Sequence, residues 1–284
     1  MIPAAFEYFT PSTVDEAVAL LRDQPDAKVL AGGQSLMPVL RLRLAAPETI
    51  VDIGRIAELQ GVRDDGDALV IGAMTPHSTV QGDPLVGEHA RLVSLATATI
   101  ADPQVRHRGT FGGSLAHADP AGDLPAVAVA LDASFVIAGP DGRRTVAAAD
   151  FFEGVFSTTL ADDELLVEVR VPKYTGWGAH YEKFNRVAQQ WSIVAVAAAV
   201  RLDGDSIAEA RVGLTNMGST PIRATAVEAA LVGRPATPEA VREAAAHAAE
   251  GTSPVSDLNG DADYRRHLAS VLTRRAVLAA AGTG

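Results

Sequence analysis

Two short stretches, Ala31-Gly32-Gly33-Gln34-Ser35 and Gly109-Thr110-Phe111-Gly112-Gly113-Ser114, decide how this chain is read. Each sets adjacent glycines beside hydroxyl or amide side chains. The first follows the strand-like Lys28-Val29-Leu30 and leads into a segment of helical character. Glycine has no Cβ, so backbone N–H groups can converge there on an anion, and a helix N-terminus behind them adds its positive end. Singly, paired glycines after a strand are more often just a tight turn. Two such turns in one chain could clasp the two phosphates of a dinucleotide from opposite sides. Each charge-assisted hydrogen bond contributes roughly 1.5–3 kcal/mol, so about four or five would hold a pyrophosphate without a basic field. Neither stretch is G-x-G-x-x-G, and no G-x-x-x-x-G-K-[ST] occurs, which speaks against the Rossmann and P-loop modes of phosphate binding.

Outward from the first turn, Ser12 and Asp15 resemble a capping box opening a helix through Ala17, Val18 and Leu21. A mostly apolar segment, 36–44, and a strand from Thr49 to Ile53 follow, and Asp65-Gly66 marks a hairpin before a strand at 68–74. From Leu59 to Lys173 strands and helices alternate around the second turn. Beyond it, 181–187 and the paired strands across 194–216 precede helices rich in Ala, Glu and Arg. The expectation is an α+β protein of three parts: 1–56, 57–175, and a C-terminal lobe, 176–284, with a three-stranded antiparallel sheet and helices.

The chain has 284 residues, 48% hydrophobic and 21% charged, enough for a substantial core. Its net charge of −11, without a run of Lys and Arg, argues against nucleic acid as a partner. Zero cysteines exclude disulfides, thiolate metal sites, a cysteine nucleophile and resident cysteine-ligated clusters. The longest apolar stretch, Ile193–Val200, is too short to span a membrane, and the start carries neither a basic leader nor a signal core; a cytoplasmic protein is expected.

His117, Asp119 and Asp123 lie close in sequence and could suggest a metal site, but a Pro with nearby Asp residues equally suits a helix start. Asp123 reads either as a hydrogen-bond acceptor for a ligand or as a first-turn carboxylate facing a helix dipole. His77, His107 and His180 stand alone, with no G-x-S-x-G elbow or H-E-x-x-H pair nearby. Trp177 and Trp191 read as core or lobe-interface residues.

Taken together, residues 31–44 (AGGQSLMPVLRLRL), 102–127 (DPQVRHRGTFGGSLAHADPAGDLPAV) and 181–200 (YEKFNRVAQQWSIVAVAAAV) resemble the FAD-binding medium subunit of molybdenum hydroxylases of the carbon monoxide dehydrogenase and xanthine dehydrogenase type. The resemblance runs essentially end to end, and the A-G-G-[HQ]-S and T-[IF]-G-G signatures occur in order. It implies a two-subdomain FAD-binding fold of the vanillyl-alcohol-oxidase-like (PCMH) type plus a C-terminal lobe. It implies that Ala31, Gly32, Gly33, Gln34 and Ser35 form one pyrophosphate loop, and Thr110, Phe111, Gly112, Gly113 and Ser114 the other. By the same resemblance Ile100 lies near the flavin ring, Asp123 bonds in the ribityl or ring region, Leu165 or Leu166 packs against the ring, and Lys183, in a K-x-x-R segment with Arg186, is a polar contact near it. Gln34 stands where many relatives have His, Gln190 where Asp is common and Trp191 where Tyr is common.

The resemblance also implies noncovalent FAD, no catalytic side chain in this chain, a molybdenum-pterin cofactor in a large partner subunit, two [2Fe–2S] clusters in a small one, and a dimer of heterotrimers. The flavin would take electrons from those clusters and pass them to an external acceptor. Two other readings compete. A self-sufficient flavin oxidase should show convergent acid and base residues, which the sequence does not reveal. A nucleotide-sensing or assembly protein would bind the nucleotide without flavin turnover.

Overall fold

The computed structural model describes residues 2–283; the outer limits expected at 1 and 284 lie outside them. Near the N-terminus β1 (Glu7–Phe9), α1 (Val14–Asp23), β2 (Lys28–Leu30), α2 (Leu36–Arg41) and β3 (Thr49–Asp52) form a small parallel sheet in the order β1-β3-β2. Helix α1 is capped by Thr13, not by the expected Ser12. The extended backbone of Thr13 lets its hydroxyl accept from Glu16 N–H at 3.1 Å, while the Glu16 carboxylate reaches back to the Ser12 N–H at 2.7 Å. The box is therefore Thr13 with Glu16, one residue later than Ser12 with Asp15.

A second sheet follows, built from β4 (Val62–Asp65), β5 (Ala68–Gly72), β6 (Ser134–Gly139), β7 (Gly142–Ala147) and β10 (Leu165–Pro172), in the order β4-β5-β10-β6-β7 and antiparallel throughout. Between β5 and β6 run α3 (His77–Gly82), α4 (Pro84–His89), α5 (Arg91–Ala98), α6 (Pro103–Arg106), α7 (Phe111–His117) and α8 (Asp123–Ala130). After β7 come α9 (Ala148–Phe151) and a small hairpin, β8 (Phe152–Gly154) with β9 (Ser157–Thr158). Val14, Val18 and Leu21 of α1 share one core with Leu165 and Val167 of β10, so the first two sheets are joined by buried apolar surface.

The third sheet contains β11 (Gly178–Phe184), β12 (Val194–Asp203), β13 (Ser206–Thr215) and β14 (Ile222–Arg223) in chain order. The three long strands were expected from sequence. The fourth, at two residues, is too short to show any periodicity. Along β12, Ala195, Ala197 and Ala199 face the core of the second unit, whereas Val194, Val196, Ala198 and Val200 face α10 (Thr225–Leu231), α11 (Pro238–Ala245) and α12 (Ala262–Ala281). Burial on both faces explains why this strand reads as an unbroken apolar run.

The small residues on the inner face let α8, whose eight residues are all buried, press against the sheet. A Cβ on Gly213 would stand 2.3 Å from the Ala126 carbonyl oxygen. Because that obstacle is backbone, Gly213→Ala is expected to lose about 1–3 kcal/mol of stability, read as a lower urea midpoint with unchanged far-UV circular dichroism.

Candidate dinucleotide-binding site

The two glycine stretches, far apart in sequence, meet in the structure. A Cβ on Gly32 would lie 2.2 Å from the Arg108 carbonyl oxygen and 2.7 Å from Gly109 Cα, so the loops touch backbone to backbone. A Cβ on Gly113 would approach that of Ala31 to 3.4 Å. Gly33 has φ +74°, a left-handed conformation that glycine adopts without strain. Beside this contact opens a cleft of about 130 Å³ lined by Ala31, Met74, Gly112, Gly113, Leu165 and Leu166, among others.

The loops differ in their hydrogen bonding. The N–H groups of Gly32, Gly33, Gln34, Ser35 and Leu36 find no acceptor among the described residues. Ser35 precedes α2 without its side chain capping it. In the second loop Phe111 N–H donates to Thr75 O at 2.9 Å, Gly112 N–H to Ala73 O at 2.8 Å and Ser114 N–H to Thr110 O at 3.1 Å, while Gly113 N–H reaches Thr110 Oγ1 at 3.2 Å. The cause is the antiparallel bridge of Thr110 to Pro76, which aligns this loop with the chain leaving β5. Two equivalent nests were expected; the first loop presents free donors, whereas those of the second are engaged within the chain. Close packing accounts for Gly112, whose Cβ would meet that of Ala73 at 2.4 Å.

A second group gathers where α8 of the second unit meets the inner face of the lobe's sheet. Asp123, at the start of α8, is 5% exposed. Its Oδ2 lies 2.8 Å from Lys183 Nζ, and its Oδ1 accepts from Tyr181 OH at 2.7 Å and Ser192 Oγ at 2.8 Å. Lys183 Nζ also donates to the Thr99 carbonyl at 3.2 Å, next to Ile100. Burial, and then the Asp123 charge, raise the Tyr181 hydroxyl well above its ordinary pKa, so it stays a donor. Of the expected residues, Ala31, Gly112, Gly113, Leu165 and Leu166 line the cleft, while Asp123 and Lys183 meet at this junction beside Ile100. Helix α7, which starts at the second loop, and the turn after it connect the two groups.

Tyr181, Ser192 and Thr99 were not singled out from sequence; each is an ordinary polar residue in its local context, and no local signal marks it. The three candidates for a metal go separate ways. His117 stacks on Phe156 at 4.9 Å, Asp119 accepts from Ala121 N–H at 2.9 Å, and Asp123 holds the ion pair. No three such ligands gather among the described residues. Trp177 packs at the lobe boundary against Tyr174 and Arg211, but Trp191 is 55% exposed, contrary to the expectation of a buried role. Its neighbour Gln190 ties the loop to Asn259 at 3.0 Å, which holds the segment at the surface.

A touching pair of glycine loops, a cleft beside it and a lobe packed on its far end define an FAD-binding flavoprotein fold followed by a separate C-terminal domain. Residues 4–174 match the family described as FAD binding domain in molybdopterin dehydrogenase, and residues 179–280 match the CO dehydrogenase flavoprotein C-terminal domain. The chain belongs to this family of oxidoreductase flavoprotein subunits. It is 45% identical to the carbon monoxide dehydrogenase medium chain of Hydrogenophaga pseudoflava, covering 99% of this chain and 98% of the relative. It is 36% identical to the glyceraldehyde dehydrogenase medium chain of Sulfolobus acidocaldarius, covering 97% and 98%. A chain in the solved structure of carbon monoxide dehydrogenase from Hydrogenophaga pseudoflava superposes with a TM-score of 0.96 at 47% identity, covering 100% of this chain and 99% of that one. No helix among the described residues is long and apolar enough to cross a membrane.

The residues present fit FAD. Five consecutive free N–H groups stand at a contact that a single Cβ would force apart, and the adjoining cleft is apolar, with Leu165 and Leu166 in its wall.

Proposed function

We propose that this chain is the electron-transfer flavoprotein of a multi-subunit molybdenum hydroxylase. FAD supplies the chemistry, since it can take up electrons one at a time and release them in pairs. The chain's own residues position it. The Gly32–Leu36 amides hold the pyrophosphate, Thr110 to Ser114 form the opposite wall of its seat, Leu165 and Leu166 exclude water from the cleft, and Ile100, Asp123 and Lys183 border the ring end. The observation that carries this reading is the run of free amides in the first loop, set against the second loop's backbone.

Electrons reach the flavin from [2Fe–2S] clusters in a small partner subunit, because a chain without cysteine offers no thiolates for them. The substrate is oxidised at a molybdenum cofactor in a large partner subunit, and an external acceptor removes the electrons. Two relatives of similar length are named for carbon monoxide and for glyceraldehyde, which supports assigning substrate choice to the large subunit. The three chains assemble as a dimer of heterotrimers in the cytoplasm.

The isolated chain is expected to purify with a flavin absorption spectrum that dithionite bleaches, and to oxidise no substrate of the parent complex. Adding the iron–sulfur and molybdenum subunits under anaerobic conditions should restore substrate-dependent bleaching. Rapid bleaching of the lone chain by a small organic substrate would favour a self-sufficient oxidase instead; a chain that holds the nucleotide but shows no flavin reduction would favour a sensor.

A further inference from the structure

The cleft beside the glycine loops has a wall of apolar residues and glycines with a single exception. Glu164, immediately before β10, is the one charged residue among the described residues that line it, together with Leu160 and with Ala31, which precedes the free amides. A bare carboxylate there would oppose any ligand that brings phosphates. Arg144 of β7 answers it, donating through Nε to Glu164 Oε1 and through Nη2 to Oε2, both at 2.7 Å. The same Nη2 reaches the Thr159 carbonyl at 2.7 Å, and Ala161 N–H donates to Oε2 at 2.9 Å. Three of the carboxylate's roughly four acceptor positions are therefore taken. Strand β6 lies between β10 and β7, and a Cβ on its Gly139 would stand 3.0 Å from Glu164 Cγ. The glycine leaves room for the side chain to cross β6 toward Arg144. The Arg144 hydrogen bonds, working against burial, hold the Glu164 carboxyl below its usual range, so it is ionised at neutral pH. With Arg144 42% exposed, such a pair adds little to stability. Its larger consequence is for the charge of the cleft wall, since Asp162 and Asp163 of the same turn do not line the cleft.

We propose that Arg144 is a positioning residue for dinucleotide binding: it neutralises Glu164 and ties its carboxylate to β7, so that a diphosphate can enter beside the first glycine loop. The inference rests on the FAD reading above. It places two residues that the sequence did not mark among the determinants of affinity for a phosphate-bearing ligand. It also gives the pair a sign that a plain fastening of the 159–164 turn lacks, because the harm done by losing Arg144 comes from the carboxylate left behind.

A double-mutant cycle tests this on the full-length chain stripped of flavin, with the FAD dissociation constant read from quenching of flavin fluorescence. Arg144→Gln should weaken binding about tenfold, the effect of one unneutralised charge near a diphosphate. Glu164→Gln, which removes the charge and keeps the shape, should stay within about threefold of wild type. The double variant, Arg144→Gln with Glu164→Gln, should recover to within about threefold of wild type, although it lacks both halves of the pair. Arg144→Lys keeps the cation without the two-pronged geometry, and it carries the test if Arg144→Gln does not fold. Its binding should also lie within about threefold of wild type. A double variant as weak as Arg144→Gln would show that the pair only fastens the turn, and would overturn the inference. So would a tenfold loss in Arg144→Lys, or the same dissociation constant in all four variants. A wild-type chain that binds no FAD would instead sink the FAD reading itself.

Discussion

Gly32→Val is expected to purify essentially free of FAD. Its Cβ alone would stand 2.2 Å from the Arg108 carbonyl oxygen and 2.7 Å from Gly109 Cα, and neither atom can swing aside as the tip of a side chain could. The first loop must therefore move off the second, carrying with it the free amides of residues 32–36. Loss of even two charge-assisted hydrogen bonds, at about 1.5–3 kcal/mol each, weakens binding a hundredfold or more. Some stability should go too, about 1–3 kcal/mol for the overpacked contact. Gly113→Ala should be milder, since its Cβ would chiefly meet the Thr110 hydroxyl at 2.5 Å, which can rotate away. Gly33→Val lies between them, with strain from its φ of +74° but only the side chains of Met37 and Leu30 in the way. Flavin-to-protein absorbance ratios after gel filtration decide the order. A Gly32→Val chain with full flavin content would remove the loop contact from the phosphate site.

His77 should make this protein sensitive to mild acid. Its ring is buried, its backbone N–H bonds Gly109 O at 3.0 Å, and its Nδ1 has no partner. Burial, with a smaller contribution from Arg106, lowers its pKa from 6.5 to about 4. Above pH 6.5 the ring is neutral in both native and unfolded chains, so His77 adds no pH dependence. Between 6.5 and about 4 the unfolded chain takes up a proton that the native chain refuses, and stability falls as pH falls. At about 1.4 kcal/mol per pKa unit the loss approaches roughly 3 kcal/mol near pH 4. Below that the native ring also protonates and its contribution levels off. His77→Leu removes the titrating ring and its unpaired nitrogen, so its urea midpoint should fall less than that of wild type over this window. Parallel curves for the two proteins would show that His77 carries no such penalty.

Much of this molecule is legible in its sequence because the signals are local. The turns at Gly33 and Gly66, both at positive φ, need only their own backbone conformation to be recognised. The hairpin of β12 and β13 is announced by its turn and flanking strands, and the absence of cysteine excludes cysteine-ligated clusters within the chain by chemistry alone. Even the thirteenth residue's cap was missed by only one position, since Ser12 and Thr13 offer the same hydroxyl and the choice depends on which backbone is extended.

What the sequence did not disclose depends on partners distant along the chain. The glycines of the second loop look like those of the first, yet pairing with residues 73–76 engages their amides and leaves the free donors to Gly32–Leu36. Asp123 reads as a helix-start carboxylate until β11 and the approach to β12 bring Lys183, Tyr181 and Ser192 onto it. Trp191, an apolar residue that composition would bury, is held outside by a loop tied to Asn259. The sequence by itself determined where the chain turns and which strands are buried, for these rest on backbone geometry and periodicity over a few residues, while its glycine-loop signatures carried the resemblance to the family. Only the tertiary structure decided which donors stay free and which charge is paired, because a hydrogen bond is assigned by the register of segments that fold together from far apart.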